Sequence, residues 1–148
     1  MAVLEPRRFG SYVLLKQLGR GATGEVHLAV EQAESGSCGE PCALKRLVPT
    51  DLTPWPLPRH QREPEAALAS LAGLRGVEHR ALGRTLAVGQ EQGELFFSME
   101  LVDGKALRAV LARSALRKKR LSVELALYIT REVVAGLGAL HAAAQGPF

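Results

Sequence analysis

Three glycines within six residues, Gly19, Gly21 and Gly24, constrain this chain more than any other feature. They form the pattern G-x-G-x-x-G-x-V, and apolar runs that predict β-strands lie on both sides, at 12–18 and 26–30. Glycine permits positive φ and removes the Cβ atoms that would keep a ligand away from the backbone. Such a loop can place backbone N–H groups directly against phosphate oxygens. The stretch therefore predicts either a phosphate-binding loop or a turn that only reverses the chain.

The residues after the loop separate the known classes of phosphate-binding loop. A dinucleotide-binding fingerprint continues into a helix, and a P-loop has Lys followed by Ser or Thr after its last glycine. Here Glu25 and Val26 follow Gly24, and the next residues alternate as they do in a strand. The sequence thus predicts a strand–loop–strand unit, which neither of those two classes uses.

A second motif, Cys42-Ala43-Leu44-Lys45, follows at a distance that suits a third strand. Together with the glycine loop it resembles the protein kinase family, in which the loop covers ATP and this lysine holds the α- and β-phosphates. The resemblance implies that role for Lys45, and it implies that Val26 and Ala43 pack against the adenine ring. It also implies loop contacts to ATP from Leu18, Gly19, Arg20, Gly21, Ala22, Thr23 and Gly24.

The run 95–102 resembles the kinase strand and hinge that join the small and large lobes. By position, the resemblance makes Met99 the residue at the back of the adenine pocket. It assigns hydrogen bonds with the adenine edge to the backbone carbonyl of Glu100 and to the backbone of Val102. Because backbone groups make these contacts, the side chains of the hinge are free to vary.

Leucines at three-residue spacing predict a helix over Pro64–Leu74. In kinases this helix supplies a glutamate that pairs with the strand lysine. The spacing of this chain departs from the family pattern, and we assign the role to Glu65, with Glu63 as the alternative. A first-turn carboxylate that only stabilises the helix dipole is a competing interpretation of Glu65.

The resemblance implies an α+β fold: a five-stranded antiparallel sheet with one main helix, followed by the first helices of a large lobe. We expect an N-terminal extension at 1–8, a small lobe at 9–102 and an incomplete large lobe at 103–148. The large-lobe part predicts a short helix over Lys105–Arg113 and a longer helix with Ser122 as its N-cap.

The sequence contains no H-R-D-x-K-x-x-x-N motif and no D-F-G motif. In the family these supply the catalytic aspartate and the ligands of Mg²⁺, which acts together with ATP in transferring the γ-phosphate to a protein hydroxyl. We therefore expect no metal ligand in this chain, and we expect the 148 residues alone to be inactive. Three interpretations stay open: part of an active serine/threonine kinase, a catalytically inactive pseudokinase-like binding module, and a product without function.

Composition limits the classes of partner and the cellular compartment that we expect for this chain. The net charge of +4 comes largely from Arg113 and the run 117–120, which is typical of a solvated loop and has no interleaved aromatic residues for nucleic acid binding. Cys38 and Cys42 are too few for a disulfide framework or a four-cysteine zinc site. We see no signal peptide and no membrane-spanning run, so we expect ATP and a protein substrate as partners in the cytoplasm.

Overall fold

The computed structural model describes residues 6–48 and 64–145. A six-stranded antiparallel sheet dominates these residues, with the strands in the order β1-β2-β3-β4-β6-β5. Its strands are β1 (Arg7–Phe9), β2 (Tyr12–Gly21), β3 (Gly24–Gln32), β4 (Cys38–Leu47), β5 (Thr85–Glu91) and β6 (Glu94–Glu100). The helices are α1 (Pro64–Ala72), a 3₁₀ turn (Gly73–Gly76), α2 (Leu107–Leu116) and α3 (Val123–Gln145).

The predicted α+β class is confirmed, but the predicted five strands are one too few. The additional strand, β1, pairs Arg7 with Leu14 and Phe9 with Tyr12. It is only three residues long, and only Phe9 in it is buried, so it carries no alternating pattern that a sequence could display. Residues 7 and 8, expected to belong to an extension, are therefore part of the sheet.

The core lies on one face of the sheet, which we call the outer face. Its buried side chains are Phe9, Tyr12, Leu14, Ala29, Cys42 and Leu44, with Phe96 packed against them. A buried hydrogen bond of 3.1 Å joins Tyr12 Oη and Ser98 Oγ, which satisfies the two hydroxyl groups in this apolar setting. Full burial of a leucine such as Leu44 stabilises a fold by about 1.5–3 kcal/mol. The sheet thus has its own core.

The helices begin and end where local chemistry dictates. Helix α1 stops at Ala72, two residues before the predicted end, because Gly73 starts the 3₁₀ turn. Helix α2 is shifted toward the C-terminus from the predicted Lys105–Arg113. Ser122 caps α3 as predicted, since its Oγ accepts a hydrogen bond from the Leu125 N–H at 3.2 Å.

Helix α3 contacts the sheet-bearing part through the turn that precedes β5. Gly136 is buried, and a Cβ there would lie 3.1 Å from Leu82 Cδ2. An ion pair joins the side chains of Arg80 and Glu132 beside this contact. Several apolar side chains of α3 are exposed, Val133 and Leu137 included. Among the described residues, no helix is long and apolar enough to cross a membrane.

Candidate nucleotide-binding site

The register of the sheet brings the predicted site residues to the face opposite the core, which we call the inner face. Val26 is the cross-strand partner of Lys45, and Ala43 is the partner of Met99. Lys45 also lies opposite Phe97 on β6. Paired residues share a face of a sheet, as do residues two apart on one strand. The two residues expected at adenine, the lysine and the residue expected at the back of the pocket therefore line one surface.

The glycine loop folds directly onto the lysine. The Lys45 amine donates a 2.7 Å hydrogen bond to Thr23 Oγ1, at the tip of the turn between β2 and β3. The amine also lies 6.0 Å from the centre of the Phe97 ring. Burial lowers the pKa of Lys45, because the partly desolvated ammonium loses hydration. A bound anion at this position would offset that loss of hydration.

The three glycines of the loop have two different reasons to be glycine. Gly24 has a φ of +129°, and a Cβ there would lie 1.9 Å from the carbonyl oxygen of Arg46, so only glycine lets β3 approach β4 at this point. A Cβ at Gly19 or Gly21 would meet no atom of the described residues within 4 Å. Because Gly19 pairs with Val26, a side chain there would project from the inner face.

This geometry fits a nucleotide phosphate chain. A Cβ at Gly19 or Gly21 would find open space, and the Lys45 amine lies beneath the loop tip, where it bonds to Thr23. Backbone N–H groups and one lysine are the donors that phosphate-binding loops use. Leu18, Arg20 and Ala22 are exposed beside the glycines, and the Arg20 side chain lies 3.5 Å from the Glu25 carboxylate.

The residues assigned to the hinge lie at the end of β6 and just beyond it. Met99 is half-buried on β6, Glu100 is the last residue of that strand, and Val102 is exposed just beyond it. The Glu100 N–H donates to the Arg84 carbonyl at 2.9 Å. That amide is therefore already used, and the carbonyl is the group of Glu100 that agrees with the predicted contact.

The glutamate partner of Lys45 stays a prediction. Glu65 lies in the first turn of α1, and Glu63 lies outside the described residues. His79 lies in the turn before β5, where its Nδ1 accepts a 3.1 Å hydrogen bond from the Ala81 N–H.

Sequence reasoning missed a charged network on the outer face at the base of the loop. Glu25 lies 3.6 Å from the Arg46 guanidinium and 3.4 Å from His27 Nε2. The Arg46 guanidinium also forms an ion pair of 2.6 Å with the carboxylate of Glu94 on β6. Burial lowers the pKa of His27, because a charged imidazole is poorly solvated there. The alternation of Glu25 and His27 on β3 was the available signal that both side chains share one face.

Comparison with known proteins identifies the family. The family model of protein tyrosine and serine/threonine kinases matches residues 12–144. The chain belongs to this kinase family. The predicted recognition is therefore confirmed, and the match includes the glycine loop, the lysine strand, the hinge and nearly all of α3.

Individual kinases resemble the chain over most of its length. It is 34% identical over 137 residues to the serine/threonine-protein kinase PknD of Mycobacterium tuberculosis, which covers 91% of this chain and 18% of PknD. A probable serine/threonine-protein kinase of Dictyostelium discoideum is 28% identical over 138 residues, covering 90% of this chain and 24% of that protein. The chain thus spans about a fifth of the curated relatives it matches.

The fold of this chain agrees with that of a solved kinase domain. The PknI kinase domain of M. tuberculosis superimposes with a TM-score of 0.69 at 23% identity. The superposition covers 95% of this chain and 51% of the solved domain. The likeness confirms the kinase fold of the small lobe and of the first large-lobe helices.

Proposed function

We propose that this chain is the ATP-binding part of a serine/threonine protein kinase. The observation that carries the proposal is the 2.7 Å hydrogen bond between Lys45 and Thr23, which brings the amine and the tip of the glycine loop together. ATP, when bound, supplies the phosphoryl group that a kinase transfers to a protein hydroxyl. The names of the curated relatives favour serine and threonine as acceptors. Because ATP is the proposed ligand, we propose the cytoplasm as the location of this protein.

Each part of the inner face has a task in this proposal. Lys45 neutralises charge on the α- and β-phosphates, and the loop leaves space for them where Gly19 and Gly21 carry no side chain. Val26 and Ala43 give the adenine ring an apolar surface. Met99 closes the pocket behind adenine. The Glu100 carbonyl and the Val102 backbone bind the adenine edge.

Transfer of the phosphoryl group needs residues that are not among these 148. The catalytic aspartate and the Mg²⁺ ligands of the family lie in motifs that this sequence does not contain. Among the described residues, no group of three or more His, Cys, Asp or Glu side chains could hold a metal ion. We therefore propose that Mg²⁺ and the acceptor hydroxyl are positioned by large-lobe residues outside this sequence, and that the chain alone binds nucleotide without transferring phosphate.

Calorimetric titration of the 148-residue chain with ATP and Mg²⁺ tests the proposal. We expect weak binding, and we expect Gly21→Ala to reduce the affinity about tenfold, because the added methyl group occupies space that the proposal gives to phosphate. Gly138→Ala is the matched control, since a Cβ there also meets nothing within 4 Å but lies in α3. No binding by the folded chain, or equal affinity of the two variants, would contradict the proposal.

A further inference from the structure

A basic turn follows helix α2, on a part of the molecule that the nucleotide site does not use. We define the basic turn as Lys118, Lys119 and Arg120. Together with the end of α2 it encloses an open cavity of about 520 Å³, whose apolar walls include Leu111 and Leu121. The cavity lining carries three cationic side chains and no acidic one. Its shape and charge thus favour an anionic ligand that also has an apolar part.

The backbone of the basic turn is held in a conformation that suits glycine, yet the residue there is lysine. Lys118 has a φ of +53°, in the left-handed region. Its N–H bonds to the Ala115 carbonyl at 2.9 Å, and the Lys119 N–H bonds to the Ser114 carbonyl at 2.9 Å. This is the glycine-ended helix terminus in which a side chain costs stability. A strained residue of this kind points to a role for the side chain.

Helix electrostatics do not account for all three cations, since Arg120 lies four residues beyond the last residue of α2. A cation stabilises a helix when it lies in the last turn, as Arg113 does. The basic turn lies beyond Leu116, where α2 ends. Within the described residues, none of its three side chains forms an ion pair or a hydrogen bond. The basic turn therefore presents uncompensated positive charge at the cavity rim.

We propose that this cavity is a docking site for acidic peptide segments of a partner protein. Carboxylates of the peptide pair with the three cations, and an apolar side chain of the peptide enters between Leu111 and Leu121. A concave site with apolar walls suits an inserted side chain better than it suits a flat anionic membrane. The site lies on the large-lobe helices and does not involve Lys45, so it goes beyond the proposed ATP binding and can be tested separately.

Fluorescence anisotropy with a labelled Glu-Glu-Leu-Glu-Glu peptide and the full chain is the test. We expect saturable binding that weakens as salt is added, and an affinity at least about tenfold lower in the triple variant Lys118→Glu, Lys119→Glu, Arg120→Glu. The control triple variant Arg7→Glu, Arg8→Glu, Lys16→Glu changes the net charge equally on β1 and β2, and it should bind within about twofold of the wild type. Equal losses in the two variants, or no binding to the wild type, overturn the proposal.

A single substitution separates docking from folding. Lys118→Gly relieves the left-handed strain, so the thermal midpoint should rise by about 2–4 °C. The same change should weaken peptide binding about threefold, since one cation is lost. Unchanged affinity in this variant overturns the docking role. Binding to phosphatidylserine vesicles without binding to the peptide also overturns it, in favour of a membrane contact.

Discussion

The sheet and the two C-terminal helices bury their apolar residues to very different extents. On the outer face of the sheet, Leu44 and Ala29 are fully buried. On α3, Val133 is 54% exposed and Leu137 is 47% exposed, although both belong to a series of apolar residues that recur every three or four positions. The sheet buries its own core, while several apolar residues of α3 are exposed.

This difference shows that an apolar pattern predicts a buried helix face only when the residues that pack against that face are present. The superposition leaves about half of the solved PknI kinase domain without a counterpart in this sequence. In the kinase fold we expect the exposed face of α3 to pack against large-lobe residues that are not among these 148. Gly136 and Arg80 attach α3 to the turn before β5, and that contact does not require the rest of the lobe.

The largest expected effect comes from the sheet core. Leu44→Ala should lower the free energy of unfolding by about 2–5 kcal/mol, because it removes a fully buried side chain from close packing. Leu127→Ala, the same substitution on α3, should change it by no more than about 0.5 kcal/mol. Urea unfolding of both variants measures the contrast. Similar losses in the two would break the comparison, because they would show that α3 already packs against something.

Within the glycine loop, Gly24→Ala should cost about 1–3 kcal/mol of stability, since a Cβ there collides with the Arg46 carbonyl and the residue has positive φ. Gly21→Ala should leave stability almost unchanged, because nothing lies within 4 Å of its Cβ. Chemical denaturation of the two variants separates the structural glycine from the one that leaves space for a ligand. Equal destabilisation would mean that both glycines are structural.

Lowering the pH should have a smaller effect on folding stability. Burial lowers the pKa of His27 in the folded chain, so between that value and the ordinary pKa of about 6.5 the unfolded chain binds more protons. This contribution to stability is present above pH 6.5 and is lost as the pH falls through the folded pKa. His27→Gln should flatten that part of the profile, as denaturation at several pH values would show. The same acid slope in both proteins would exclude His27 as its source.

Much of the fold could be predicted, because the residue patterns of several segments agree with the strands that these segments form in the sheet. The glycine-loop hairpin lies where the apolar runs on both sides of the loop indicated, and β6 lies within the run that resembles the kinase strand and hinge. The strand Arg7–Phe9 could not be predicted, since pairing with β2 and not its own pattern holds it in the sheet. The predicted end of α1 at Leu74 missed the effect of Gly73, which shifts the backbone to a 3₁₀ turn two residues earlier.

For the candidate site, the motif predicted Lys45 but not its neighbours. The hydrogen bond to Thr23 depends on how the loop folds back, and the contact with Phe97 depends on the register between β4 and β6. The local spacing of residues predicts neither contact. The pairing of Glu65 with Lys45 depends on where α1 lies relative to the sheet, which local spacing does not determine either.

Nucleotide binding by Lys45→Met tests the central claim most directly. Lys16→Met is the matched control, because it makes the same change at an exposed position on β2. Calorimetry with ATP should show an affinity at least about tenfold lower for Lys45→Met and nearly unchanged for Lys16→Met, since only Lys45 would form a charged hydrogen bond with phosphate. Removing a partly desolvated amine should leave folding stability unchanged or higher. ATP binding by a folded Lys45→Met chain with wild-type affinity would contradict the account.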